Sequence, residues 1–445
     1  MLARKAPEVL AAPAQRRRRP WWIPHVFGGV PDVEPRLLTV LGLVALALFF
    51  EQYDLSMLTA ALKFIAADLQ IPESELGGYT SVIRLGSLPA LMVIPFADRF
   101  GRRRLFLLSV VGTSVATLLT AFSQTAWQFV ICQVVTRTFL VAGLSVAYVI
   151  ITEEYPAEHR GWAIGMLGAL SACGNGLGAG LFAAIHALPY GWRALYVVGV
   201  VPLLLLPQFR REVRETERFE RHRRRAGHGD APITLLSWMQ PLAELARTYP
   251  MRALAIGLVG GLAPVGSMAA FQFSGYFTQT VHGWEPWRFS AMVIFGGGIG
   301  IIGNVVAGRL GDRIGRRVVG LFFMTLYPVA VWVFYRGPGW SVPGAWVLLV
   351  FCATASEVII RALSTELFPT SHRSAAAGWL SFVNTIGAAT GLWLVGLGTR
   401  EPGDLARMIS LLSLAVAVAG LFLLALPETN RRELEAISAD DACVG

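Results

Sequence analysis

Asp312-Arg313-Ile314-Gly315-Arg316-Arg317 lies between two apolar runs and repeats Asp98-Arg99-Phe100-Gly101-Arg102-Arg103 at an offset of 214 residues. A second motif returns at nearly the same distance: Thr152-Glu153, Pro156 and His159-Arg160 recur 213 residues later as Thr365-Glu366, Pro369 and His372-Arg373. Two unrelated motifs with nearly one spacing identify a duplicated chain. Around these charged landmarks the sequence is apolar: 54% of the 445 residues are hydrophobic and only 15% are Asp, Glu, Lys or Arg, against about 25% in an ordinary soluble domain. Apolar runs stand near 37–62, 77–97, 105–124, 127–152, 161–187, 194–207, 251–281, 289–308, 318–335, 344–366, 374–398 and 405–426, the sixth continuing past its apolar part. Helices of roughly 20 residues, rising 1.5 Å per residue, cross a 30 Å hydrocarbon core. The expected fold is all-α and integral to the membrane, with twelve transmembrane helices in two pseudo-symmetric six-helix bundles.

The longest polar interruption, 208–250, separates a bundle over 37–207 from one over 251–427, with tails at 1–36 and 428–445. Its Arg210, Arg211, Arg214, Arg218, Arg221, Arg223, Arg224 and Arg225 alternate with Glu212, Glu215, Glu217 and Glu220, a pattern that suits a solvated or membrane-surface helix. With both termini on one side, 29 of the 38 Lys and Arg fall there (Arg252, at a span boundary, included), six fall opposite and three lie within spans. The positive-inside rule then places both termini in the cytoplasm. The net charge of +9 is explained by topology, and no nucleic-acid partner is expected. Arg16 to Arg19 have no apolar run directly behind them, so the start reads as a basic cytoplasmic tail and not as a cleavable signal. Cys132, Cys173 and Cys352 sit in spans and Cys443 in the tail, without metal-ligand spacing, and read as small packing residues. The glycines of 174–180 suit close helix approach better than phosphate binding, since no strand precedes them. No soluble catalytic domain, nucleotide loop or metal cluster is legible, so neither an enzyme nor a cofactor is expected.

An ionisable side chain at bilayer depth costs several kcal/mol unless paired or hydrated, which marks it as a functional candidate. The spans hold Glu51, Asp54, Arg84, Arg137, Glu357 and Arg361. By helical rise, Asp54 and Arg84 lie about 12 Å from the outer ends of their spans, and Glu51 and Arg137 roughly 15–17 Å in. These depths permit Asp54–Arg84 and Glu51–Arg137 pairs, and Glu357 with Arg361 forms a local pair one turn apart. Three carboxylates and three Arg would also serve as a purely structural network. The alternative makes Arg137 and Arg361 clamps for a carboxylate substrate, with Glu51 or Asp54 exchanging a proton. Gln272, Tyr276, Trp379 and Asn384 are the expected polar and aromatic walls.

On these motifs the chain resembles the major facilitator superfamily over residues 37–430. Gly308-Arg309-Leu310-Gly311-Asp312-Arg313-Ile314-Gly315-Arg316-Arg317 follows its Gly-x-Leu-x-Asp-Arg-x-Gly-Arg-Arg pattern, while the first copy has Ile94 and Pro95 at the leading Gly. Glu153, Pro156 and Arg160, with Glu366, Pro369 and Arg373, resemble the Glu-x-x-Pro-x-x-x-Arg signature of sugar porters and metabolite:proton symporters. Glu51-Gln52-Tyr53-Asp54 is similar to the first-span motif of aromatic acid:proton symporters, with Gln52 where Gly is usual. Arg137, Arg361 and Arg373 fall where that branch carries Arg. The resemblance implies proton-coupled symport of a small organic anion by alternating access, in a cell (inner) membrane, by a monomer whose partners are substrate, proton and lipid. It also implies gating roles for Asp98, Arg99, Arg102, Asp312, Arg313, Arg316, Glu153, Arg160, Glu366 and Arg373. A sugar or polyol porter, a multidrug/proton antiporter and a non-transporting nutrient sensor stay open as alternatives.

Overall fold

The computed structural model describes residues 30–93, 101–215, 240–369, 372–401 and 403–428. Asp98, Arg99 and most of the tails and of the 208–250 segment lie outside the described residues. Twelve helical spans follow one another. The first bundle holds α1 (Pro35–Ala60, continued by Leu62–Asp68), α2 (Glu73–Leu85, then Ser87–Val93), α3 (Arg102–Ala121), α4 (Ala126–Glu154), α5 (Ala157–Ala183) and α6 (Trp192–Glu212). The second holds α7 (Pro250–Gln272, then Ser274–Thr280), α8 (Pro286–Ile314), α9 (Arg316–Arg336), α10 (Val342–Glu366), α11 (Arg373–Gly398) and α12 (Asp404–Phe422). A short amphipathic helix, Gln240–Thr248, precedes α7.

Proline stands at the first or second position of α1, α7, α8 and α10, where its fixed φ favours the helix and its missing N–H costs nothing. Among the described residues, eleven of the spans are long and apolar enough to cross a membrane. The exception, α2, breaks at Gly86, where a Cβ would stand 2.8 Å from the Val134 carbonyl of α4.

The helices pack in matching sets. In the first half α1 lies on α5, α3 on α4 and α6, and α2 on α4; in the second, α7 lies on α11, α9 on α10 and α12, and α8 on α10. The halves meet through α2 with α11 and α5 with α8, which are equivalent contacts under the duplication, and through α1 with α7. The seam is closed at the face away from the termini. There a Cβ on Gly77 would approach the Gly396 amide nitrogen to 2.2 Å, a spacing that only two small residues allow. Lys63 Nζ donates to the Gln279 carbonyl at 2.8 Å, and Gln279 Nε2 donates to the Ala60 carbonyl at 3.0 Å. Phe182 and Phe289 close the α5–α8 contact edge to face.

Candidate functional site

The two α1 carboxylates point into the first bundle. Glu51 and Asp54 are each 3% exposed. Asp54 accepts a hydrogen bond from Thr117 of α3 at 3.0 Å. Glu51 abuts α4 where Gly143 leaves room: a Cβ there would stand 2.6 Å from Glu51 Oε1. Both carboxylates line a cavity of about 10 Å³ shared with Thr113, Ser114 and Thr117 of α3 and with Gly199 and Pro202 of α6. That volume matches one water-sized body.

The intramembrane arginines lie elsewhere. Arg84 Nη2 donates to Asn384 Oδ1 of α11 at 3.3 Å, joining the halves at the α2–α11 seam. Arg137 Nε donates to Ser87 Oγ at the head of the second α2 segment, 3.0 Å away. The expected Asp54–Arg84 and Glu51–Arg137 pairs therefore do not form in this conformation. Helical rise places all four groups at compatible depths, but rotation turns the carboxylates toward α3, α4 and α6 and the arginines toward α2 and α11. Glu357 and Arg361 form the expected pair on α10, with nitrogen–oxygen distances of 3.0 and 2.6 Å. Their side chains are 60% and 72% exposed, so the pair itself contributes only about 0.5 kcal/mol. Arg84 and Asn384 thus make a polar contact drawn from both bundles, and Glu357 with Arg361 a separate pair on α10.

The expected walls divide. Gln272 is buried at the α7 break and its Nε2 has no hydrogen-bond partner among the described residues. Tyr276 lies at the closed face, with its hydroxyl 3.5 Å from Glu73 Oε2 of α2, so it belongs to the seam and not to a central wall. Trp379 donates to the Ala253 carbonyl at 2.9 Å and packs α11 on α7. The glycines of α5 serve contact: a Cβ on Gly174 would lie 1.9 Å from the Phe49 carbonyl oxygen of α1.

The two repeated motifs meet each other at the face of the termini. Arg102 pairs with Glu153 at 3.4 Å in the first half, and Arg316 pairs with Glu366 in the second. Arg316 also lies 3.6 Å from Asp312. Arg313 ends α8, Arg160 stands in the first turn of α5 and Arg373 opens α11. Two further carboxylates complete the design. Glu215 accepts from the backbone N–H groups of Arg102 and Arg103 at 2.8 and 3.3 Å. Glu428 accepts from those of Arg316 and Arg317 at 2.9 and 3.2 Å. Each thereby places a negative charge on the N-terminus of α3 or α9, where the helix dipole favours it. Both helices follow a glycine with positive φ, 100° at Gly101 and 119° at Gly315. Glu215-Thr216 and Glu428-Thr429 repeat at the same 213-residue offset, the one signal in the sequence that marks these two carboxylates as equivalent.

The profile of the Major Facilitator Superfamily matches residues 44–334 and 287–441. A gallate transporter of Pseudomonas putida is 23% identical over 433 residues, covering 90% of this chain and 94% of that protein. A 4-hydroxybenzoate transporter of Pseudomonas putida is 26% identical over 406 residues, covering 82% of this chain and 89% of that protein. Among solved structures, the xylose transporter of E. coli in its inward-open conformation superposes with a TM-score of 0.70 at 16% identity, covering 91% of this chain and 99% of that chain. At that identity the likeness speaks for the fold alone.

Proposed function

Because the chain belongs to the Major Facilitator Superfamily, a family of transporters and not of enzymes, we propose that it carries a small aromatic carboxylate together with a proton by alternating access. The observation that carries this reading is the Arg84–Asn384 contact: a guanidinium deep in the membrane, at the join of two halves that must part and close around a substrate. Arg361 and Glu357 add an ion pair on α10 of the second half, and Arg137 lies beside α2 on the first. A carboxylate ligand fits such side chains because planar guanidinium groups bind it through paired, charge-assisted hydrogen bonds. The gallate and 4-hydroxybenzoate relatives support the aromatic part of the reading.

The proton belongs to the α1 carboxylates. Carrying an anion inward against a negative interior costs about 2.3 kcal/mol per charge per 100 mV, and an accompanying proton cancels that cost. Coupling runs through α4, which carries both Gly143, packed on Glu51, and Arg137, six residues away. With the termini in the cytoplasm, as the Lys and Arg distribution favours, the closed face is the external one and the structure is the inward-facing state. The paired Arg102–Glu153 and Arg316–Glu366 contacts are then the cytoplasmic latches that rearrange as the halves rock.

Uptake of labelled 4-hydroxybenzoate into proteoliposomes tests the reading. Accumulation under an inward proton gradient, with only equilibration without one, is the expected result. No uptake under either condition would remove the aromatic acid assignment.

A further inference from the structure

The cavity beside Glu51 and Asp54 holds more oxygen than one hydrogen bond uses. Glu51 and Thr113 both line it, their Oε2 and Oγ1 have no hydrogen-bond partner among the described residues, and both residues are more than nine-tenths buried, at 3% and 8% exposure. Asp54 has only the Thr117 hydroxyl among its hydrogen bonds to described residues. No Lys, Arg or His among the described residues comes within ion-pair distance of either carboxylate. Among the described residues, the other titratable groups facing the pair are Tyr53 of α1, whose hydroxyl donates to the Leu195 carbonyl, and Tyr196 of α6, whose buried hydroxyl has no hydrogen-bond partner there.

Two carboxylates and two threonines thus share one water-sized space with Ala47, Phe50 and Val110, and no cationic side chain among the described residues pairs with either carboxylate. We propose that this cavity is a sodium-ion site, at which Na⁺ and protons compete for Glu51 and Asp54. Side-chain oxygens suit a hard cation, and the size of the space selects among such ions. Calcium requires six to eight oxygens, and magnesium retains several of its waters, which a cavity of about 10 Å³ does not accommodate. A monovalent ion that sheds its hydration shell satisfies both partnerless oxygens. This goes beyond the symport reading and rests on it only for the link to substrate movement.

The test uses the purified full-length protein in detergent, with NaCl titrated against choline chloride at constant ionic strength. Melting temperature should rise saturably with Na⁺ at mildly alkaline pH, and the half-effect concentration should increase about tenfold at mildly acidic pH as protons occupy the carboxylates. Thr113→Val keeps the side-chain shape and should weaken the effect by about tenfold, while Glu51→Gln should abolish it. Radioactive sodium binding provides a direct second readout, also on any variant that remains monodisperse. No saturable, sodium-specific shift and no sodium binding in the unmodified protein would overturn the proposal. Hydroxybenzoate uptake measured both with and without sodium separates the two readings: uptake without sodium binding ends this proposal alone, and sodium binding without uptake in either buffer ends the aromatic acid reading alone.

Discussion

Thr117 presents its hydroxyl to Asp54 at 3.0 Å, and an asparagine at position 54 would still accept that bond through its amide oxygen. The Asp54→Asn variant should therefore fold and bind substrate yet lose gradient-driven accumulation, since an amide neither binds nor releases a proton at working pH. Counterflow of labelled against unlabelled substrate should persist; undiminished accumulation in the folded variant would take Asp54 out of the coupling. Arg84 has a different role. Its guanidinium reaches Asn384 from the opposite half, and lysine offers no planar fork to replace it. Arg84→Lys should raise the substrate concentration needed for half-maximal uptake by about tenfold, the equivalent of about 1.4 kcal/mol, and an unchanged concentration dependence would place the substrate elsewhere.

At the scale of single helices, the two repeats share one device: a glycine turn, a helix start and a carboxylate borrowed from the segment after the bundle's last span. Gly315 is needed twice over, because its φ is 119° and because a Cβ there would stand 2.9 Å from Glu428 Oε2. Gly315→Ala should lower the melting temperature, with a cost of about 1–3 kcal/mol from the left-handed backbone. Glu428→Gln should cost less, about 0.3–1 kcal/mol, by removing the charge while leaving an acceptor for the α9 N-terminus. The ordering of the two melting temperatures is the check. A Glu428→Gln variant less stable than Gly315→Ala would mean that the ion pairs around the motif, and not the turn, hold this end together.

For the whole molecule, the decisive surface is the seam between the halves. Gly77 and Gly396 let α2 and α11 touch through their backbones at the closed face, and closure there is one of the two states that alternating access requires. Gly77→Leu should wedge that face open. A cysteine introduced at Gln279, whose side chain now reaches the Ala60 carbonyl, should react faster with a membrane-impermeant thiol reagent from outside in the Gly77→Leu background. Substrate uptake should fall in parallel. Equal labelling in both backgrounds would show that the α1–α7 contact closes this face independently of α2 and α11.

The class, the twelve spans and the duplication were readable from residue order, because hydrophobic length and repeated motifs are one-dimensional properties. The same holds for Glu357 and Arg361, which are close through helical periodicity alone. Position along each span was readable too, since rise per residue is constant. Rotation about each helix axis was not, because the α1 and α4 spans are apolar around much of their circumference and carry no periodic stripe to orient them. For that reason the spacing suggested carboxylate–arginine pairs, whereas packing put Glu51 and Asp54 against α3, α4 and α6 and put Arg84 on the seam with Asn384. Tyr276 shows the same limit: its residue type suits a ligand wall, but the break after Gln272 carries it to the closed face beside Glu73. Partners in different helices are chosen by how complementary surfaces close on one another in three dimensions, and that choice exists only once the helices have packed.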